Sequence, residues 1–402
     1  MSSMSSFEHD TVISGIGQTP IGRRLSNASL NLTLDACRAA VADAGLELSD
    51  IDGLFTWPGA VNSPMPGFSG PASEVVQDAL RLRLNVRQSV YEGGAQLTAL
   101  INACLMVAAG LCRHALVYRT TTESSAQGGG RRRGTNDGGG DDAAAGNFGW
   151  LAPFGVMSIV NSAALMAMRH FETRGTSRET LAAVATTQRR HAAMNPEAVL
   201  RSAMTLDDYL GARMISTPLG LFDCDLPVDG ATAFVVSHRD YAPDVPGGAV
   251  FVEASGTASR ERQSWEHIDD VADMSANGAA AQLWSRTSLR PEDVDVAMLY
   301  DGFSIFVPMW LEAFGFCKVG GAAEFIGDGS PLSHGGRLPT NTHGGQLSAG
   351  RTHGFGHIRE AVVQLRGSGG ERQVRSRPRV ALVANGGGTR AACLLLRAAD
   401  HE

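Results

Sequence analysis

Two rhythms of apolar residues alternate along the chain. Short β-branched runs such as TVISGIG (11–17) and ALVYRTTT (115–122) predict strands. Longer segments with apolar positions three and four apart, LTLDACRAAVADAG (32–45) and LTALINACLMVAAG (97–110), predict helices, the first stopped at Gly45 by a left-handed turn. Strands that alternate with helices imply an α/β fold, a sheet with helices packed on it. Further helical patterns follow at 158–175 and 178–194, and DCDLPVDGATAFVVSH (223–238) returns the chain to the sheet.

The pattern repeats. A small-residue helix leading into LSDIDGLFTW (48–57) is echoed by AAAQLWSRTSLRPEDVDVAMLYDGF (279–303), GGAQLTAL (93–100) by GGQLSAG (344–350), and ALVYRTT by ALVANGG (381–387). Three motifs in the same order, about 250 residues apart, read as an internal duplication. The expected division is an N-terminal half over 1–245 and a C-terminal half over 246–402. The N-terminal half carries a glycine-rich polar loop at 121–150 and a helical insertion at 151–222. That loop reads either as a passive surface segment or as a cover over a substrate mouth or partner.

Composition narrows the function. With 402 residues, 43% hydrophobic and 19% charged, the chain has the makeup of an ordinary globular protein. Its net charge of −7 argues against nucleic acid, because its only basic run, Arg131 to Arg133, lies in the glycine-rich loop. The start has no signal-peptide pattern and no stretch approaches a membrane span, so a cytoplasmic location is expected. Six scattered cysteines without a CxxC pair suit reduced thiols. Lys318 is the only lysine and thus the only Schiff-base candidate, in a segment that reads as an exposed helix end.

The duplicated halves, ISGIGQTPIGR (13–23), DCDLPVDGATAFVV (223–236), WLEAFGFCKVGGAAEFIGDG (310–329) and NTHGGQLSAGRTHGFGH (341–357) together resemble the thiolase superfamily, in its sterol-carrier or lipid-transfer branch, over nearly the whole chain. The resemblance implies a thiolase fold, two α/β halves packed face to face in a layered αβαβα core. It also marks four departures. Gly93 stands where a thiolase of this branch has its nucleophilic cysteine, Tyr300 where it has one histidine, Arg351 where it has another, and Ala384 where it has a second cysteine. Covalent acyl transfer needs a thiolate, and neither Gly93 nor Ala384 supplies one, so a working thiolase is not expected.

What remains is a pocket for an acyl thioester. The resemblance extends to retro-aldolases of steroid side chains that lack the nucleophile and work with an OB-fold and zinc-ribbon protein. It therefore implies a carbon–carbon lyase acting on a β-hydroxyacyl-CoA, with such a partner and a homodimer formed through residues 85–120. No cofactor is expected, since the substrate itself carries CoA. Tyr300 is the candidate base, with Arg351 lowering the phenol's pKa and Asp301 and His353 beside it. Those retro-aldolases have a second tyrosine at the position of Arg351, so the match rests on Tyr300. The plainer readings are a core tyrosine, a capping aspartate and a histidine bonded to backbone. Gly93 and Gly94 offer backbone donors for an oxyanion. His343, Gly344, Ala384, Asn385 and Gly386 complete the expected substrate site. The histidines at 334, 343, 353 and 357 match no metal-ligand spacing. The competing class is a non-catalytic acyl-CoA-binding, lipid-transfer or scaffold subunit.

Overall fold

A computed structural model describes residues 6–61, 65–91, 95–127, 151–156, 158–260, 270, 274–374 and 377–399. Its strands are β1 (Thr11–Gln18), β2 (Gly53–Thr56), β3 (Val86–Ser89), β4 (His114–Thr122), β5 (Met214–Ser216), β6 (Leu219–Gly220), β7 (Asp229–His238), β8 (Val250–Ser259), β9 (Val296–Met298), β10 (Val380–Gly386) and β11 (Arg390–Ala398). Nine of them form one sheet in the order β3-β2-β4-β7-β1-β8-β11-β10-β9, and β5 pairs with β6 apart from it.

Apart from the extra edge strand β3, that order is symmetric about the β1/β8 seam. Each half runs outward from β1 or β8 through an antiparallel neighbour, β7 or β11, to a second antiparallel pairing with β4 or β10. A parallel strand, β2 or β9, follows. The seam itself is short, with only Val12↔Phe251 and Ile13↔Val250 in register.

Helices lie on both faces and between the halves. One cluster joins helices Thr98–Ala108 and Phe355–Leu365 to the inner faces of both half-sheets, with Val117 and Phe234 from one and Met298 and Val383 from the other. The outer face of the first half packs on helix Ser29–Asp43 and that of the second on helix Ser275–Trp284. Successive strand residues point to opposite faces, so fully buried strands such as β4 supply both layers at once. The result is the layered α/β arrangement that the sequence pattern led one to expect.

The predicted elements match in place. TVISGIG lies in β1, ALVYRTTT in β4, and helices occupy Ser29–Asp43, Thr98–Ala108, Ile159–Arg174 and Arg178–Ala193. Gly45 ends the first helix at φ +72°. One expectation needs correction. Within the segment expected to be glycine-rich loop, Glu123–Ala126 forms a helical turn in which Glu123 is fully buried. The buried ion pairs described below hold this turn against the core, which composition alone does not reveal. Residues 128–150, with Arg131 to Arg133, lie outside the described residues.

Each half seats its outer helix on a glycine. A Cβ on Gly17 would lie 2.2 Å from the Ala36 carbonyl oxygen, and one on Gly256 would lie 2.0 Å from that of Ala279. Strand and helix backbones meet there without a side chain between them. Gly256→Ala should therefore destabilise the protein by about 1–3 kcal/mol through overpacking, and Gly17→Ala by a similar amount. Urea unfolding measures both; an unchanged midpoint would mean the helices do not approach this closely.

Candidate functional site

The residues of interest meet where the two halves face each other. Glu123 follows the end of β4, so the strand sets its position and the short helical turn aims its side chain inward. Tyr300 and Asp301 follow β9, with Gly302 after them. A Cβ on Gly302 would sit 2.8 Å from Tyr300 Cε1, so glycine there leaves room for the phenol ring. Arg351 is tied by its N–H to the Leu226 carbonyl at 2.8 Å and forms a parallel bridge with Pro227. His353 and Gly354 take left-handed backbone at φ +53° and +84°.

A buried ionic knot holds these segments together. Arg351 Nε donates to Glu123 Oε2 at 2.9 Å, its Nη2 lies 2.9 Å from Glu123 Oε1, and its Nη1 donates to Asp225 Oδ1 at 3.0 Å. His353 Nε2 approaches Glu123 Oε2 at 3.0 Å. Burial would raise the Glu123 carboxyl's pKa, but Arg351 and His353 outweigh it and hold the group well below the usual carboxylate range. His353 moves the other way: desolvation and the charge of Arg119 lower it to about 4, against the pull of Glu123. It is neutral at pH 7, so its Nε2–H donates to Glu123.

Tyr300 departs from expectation in one respect. Burial raises its pKa above the ordinary 10, the Asp225 and Asp301 carboxylates push the same way, and the opposing pull of Gln346 and Arg351 is weaker. Arg351 does favour the phenolate as expected. Its charge, however, is already shared between two carboxylates.

Asp301 is fully buried and serves the backbone. Its oxygens accept from the Gln346 N–H at 3.0 Å and the Leu347 N–H at 3.3 Å, and His357 Nε2 lies 3.1 Å away. It thereby secures the turn Gly345–Ala349 that leads into Arg351. Asn385, buried on β10, donates to the His353 carbonyl at 3.2 Å. Ala384 is buried beside it, and a Cβ on Gly386 would lie 3.2 Å from the Ala95 Cβ, Ala95 following Gly94 in the sequence. Gly93 and Gly94 themselves lie outside the described residues.

A cavity of about 540 Å³ opens onto the knot and is lined by Glu123, Asp225, Cys224, Phe222 and Leu347, with Arg23, Arg24 and Arg213 at its rim. His343 and Gly344 are not among its lining residues. His343 faces a much smaller cavity with Gln18 and Asn195, and Gly344 packs against Ala192. Among the described residues no three potential metal ligands come together. Burial raises the Cys317 thiol to about 12, which suits a core residue and not a nucleophile.

Comparison with known proteins places this arrangement. The family described as Thiolase C-terminal domain-like matches residues 256–396. A steroid side-chain-cleaving aldolase of Thermomonospora curvata is 36% identical over 91% of this chain and 92% of its own length. A 17-hydroxy-3-oxo-4-pregnene-20-carboxyl-CoA lyase of Mycobacterium tuberculosis is 33% identical over 89% and 91%. The chain belongs to the thiolase superfamily, in its aldolase branch. With that branch it is a carbon–carbon lyase of thiolase fold. A solved Ltp2-ChsH2(DUF35) aldolase superposes with a TM-score of 0.87 at 33% identity, covering 98% of this chain and 99% of that one. An acetyl-CoA acetyltransferase of Syntrophomonas wolfei shares the fold, with a TM-score of 0.67 at 17% identity.

Within this thiolase-fold lyase, sequence reasoning missed Glu123 and Asp225. Glu123 lies outside the superfamily motifs, and Asp225 lies within DCDLPVDGATAFVV without standing out there; the signal that exposes them is a buried arginine at 351, which requires an anion. Arg351→Gln should leave both without their guanidinium and cost about 3–5 kcal/mol at pH 7. Because Glu123 has a depressed pKa when folded, its share of the stabilisation is full above the unfolded value of 4.5 and is lost as the pH falls below it. Denaturant melts at pH 7 and pH 4 should accordingly show a smaller difference between wild type and variant at the lower pH.

Proposed function

We propose that the chain cleaves a β-hydroxyacyl-CoA thioester by a retro-aldol reaction, with Tyr300 as the group that takes the β-hydroxyl proton. The carrying observation is the ionic knot of Arg351, Glu123 and Asp225, both carboxylates of which line the cavity, with Tyr300 near enough that Asp225 and Arg351 both act on its phenol. As the proton leaves the hydroxyl, its electron pair becomes the carbonyl of the released ketone or aldehyde. The bond between the α and β carbons breaks, and its electrons pass into the thioester as an enolate. Protonation at the α carbon then gives the shortened acyl-CoA. Protons and electrons balance without an oxidant or reductant.

The cavity suits such a substrate. Arg23, Arg24 and Arg213 at the rim are exposed, and the described residues give them no carboxylate partner, so they are free to meet the phosphates of CoA. Phe222, Leu221 and Met214 supply apolar wall for a bulky acyl group. The relatives' steroid substrates recommend a steroid or other branched side chain as the first class to assay.

One observation favours the competing scaffold or lipid-transfer reading: Arg351 is consumed by two carboxylates and does not itself line the cavity. Assay of a panel of branched β-hydroxyacyl-CoA thioesters decides between them. Release of a ketone or aldehyde with shortened acyl-CoA supports the lyase; tight acyl-CoA binding without turnover supports the other.

For assembly we propose a homodimer and a small partner with an OB fold and a zinc ribbon, the latter supported by the DUF35 component in the solved aldolase. β3 is the outermost strand of its half-sheet, and Leu105 and Leu111 are exposed nearby in sequence, within the 85–120 span expected to form the dimer. Light scattering at micromolar concentration should report twice the chain mass. Cleavage should rise when a DUF35 protein is supplied, and full activity of the chain alone would remove the partner from the proposal.

Tyr300→Phe keeps the ring packing and removes the only ionisable atom. Turnover should fall about 10²–10⁴-fold while the KM moves far less. In the wild type the active form is the phenolate, and burial holds the phenol's pKa above 10, so kcat/KM should keep rising with pH through the alkaline range. A folded Tyr300→Phe protein that cleaves at the wild-type rate would end Tyr300's role as the base.

A further inference from the structure

Arg119, on β4, is a buried cation with two donors unspent. It is 1% exposed. Its Nη1 donates to the Phe68 and Thr120 carbonyls, each at 2.6 Å, while Nε and Nη2 have no hydrogen-bond partner. A buried N–H left unpaired costs about 1–3 kcal/mol, and more on a charged group. Such a group in a well-packed interior calls for an occupant.

The obvious internal partner is already taken. Glu123, the carboxylate that acts most strongly on Arg119, accepts from Arg351, His353 and Thr121. Nor can Arg119 swing toward another group. Its guanidinium lies 5.2 Å from the Trp57 ring centre and 5.0 Å from that of Phe68, and the two carbonyls pin Nη1. The free Nε–H and Nη2–H therefore point in a fixed direction.

The neighbours of Arg119 belong to the reaction centre. Trp57 and Phe68, which clamp Arg119, also pack on His353 at 5.8 and 5.1 Å. Trp57 further packs on Tyr91, with ring centres 6.4 Å apart. The charges of Tyr300 and Arg351 both act on Arg119. Retro-aldol cleavage creates one new anion in this region, the oxygen of the thioester enolate, and none of the carboxylates can stabilise it.

We propose that Arg119 holds the enolate oxygen through its free Nε–H and Nη2–H, an oxyanion site made by a side chain. The proposal rests on the lyase reading for the identity of the anion. A fixed, desolvated guanidinium needs no reorganisation as the charge develops, which is the condition under which such donors accelerate a reaction most. In the resting protein the site would hold a water or a neutral thioester carbonyl.

The test uses binding and turnover separately. A CoA thioether bearing a nitroalkyl group, whose nitronate carries charge where the enolate does, is compared with the plain alkyl CoA thioether by calorimetry at a pH where the nitronate is formed. Wild type should prefer the nitronate at least tenfold. Arg119→Gln should abolish that preference while keeping its affinity for the alkyl thioether, and should lower kcat about 10²–10³-fold with little change in KM. Arg119→Lys, which keeps the charge but not the fork, should retain part of both effects and serves if the glutamine variant does not fold. An intact nitronate preference in a folded Arg119→Gln or Arg119→Lys protein would overturn the proposal. Failure of wild type to cleave any thioester, with the nitronate preference present and dependent on Arg119, would instead strike the lyase reading and leave the anion site standing.

Discussion

One guanidinium shared by two buried carboxylates organises the centre of this protein. Glu123 and Asp225 come from the N-terminal half and Arg351 from the C-terminal half, so the ion pairs join the duplicated halves across their interface. Three charged groups removed from water are tolerable only when each satisfies the others. The backbone is arranged to ensure this: Arg351 is tethered to Leu226, the neighbour of Asp225, and Asp301 secures the turn before it. The knot also reaches its neighbours: Asp225 and Arg351 act in opposite senses on the Tyr300 phenol, and Glu123 accepts from His353, which burial and Arg119 keep neutral.

The chemistry differs from that of a thiolase in a physically simple way. A thiolase site must activate a sulfur and regenerate it. Here four of the six cysteines, Cys37, Cys104, Cys112 and Cys393, are buried, with thiols that burial holds protonated. On the proposed reading the work falls to oxygen and nitrogen groups. Such a site lends itself to proton transfer and to stabilising an enolate, and both can proceed with no covalent bond to the protein.

The architecture was legible because periodicity and repetition are local signals. The alternation over 11–17 and 115–122 and the echo of GGAQLTAL in GGQLSAG carried the strand and helix assignments and the duplication. Tyr300 and Arg351 stood out because they replace reactive residues in a resembling motif. Their partners were hidden for a different reason. Arg351 and Glu123 are 228 positions apart, and the glycine-rich composition of 121–150 masked a carboxylate that the end of β4 buries. Arg119 sat inside a strand pattern that explains its neighbours Val117 and Tyr118 as core, and nothing in the alternation says that the arginine beside them is buried without a full set of partners. His343 and Gly344 share a motif with Arg351, yet His343 faces another cavity and Gly344 packs against Ala192.

Gly354 and Asn385 meet closely behind His353. A Cβ at 354 would fall 1.5 Å from Asn385 Nδ2, the atom that donates to the His353 carbonyl. Neither position is free to drift alone: any larger residue at 354 must displace the amide, and with it the support beneath His353. Through evolution the two sites are bound to change together or not at all, so a homologue that has lost the glycine should have lost the asparagine too, and should place its histidine differently.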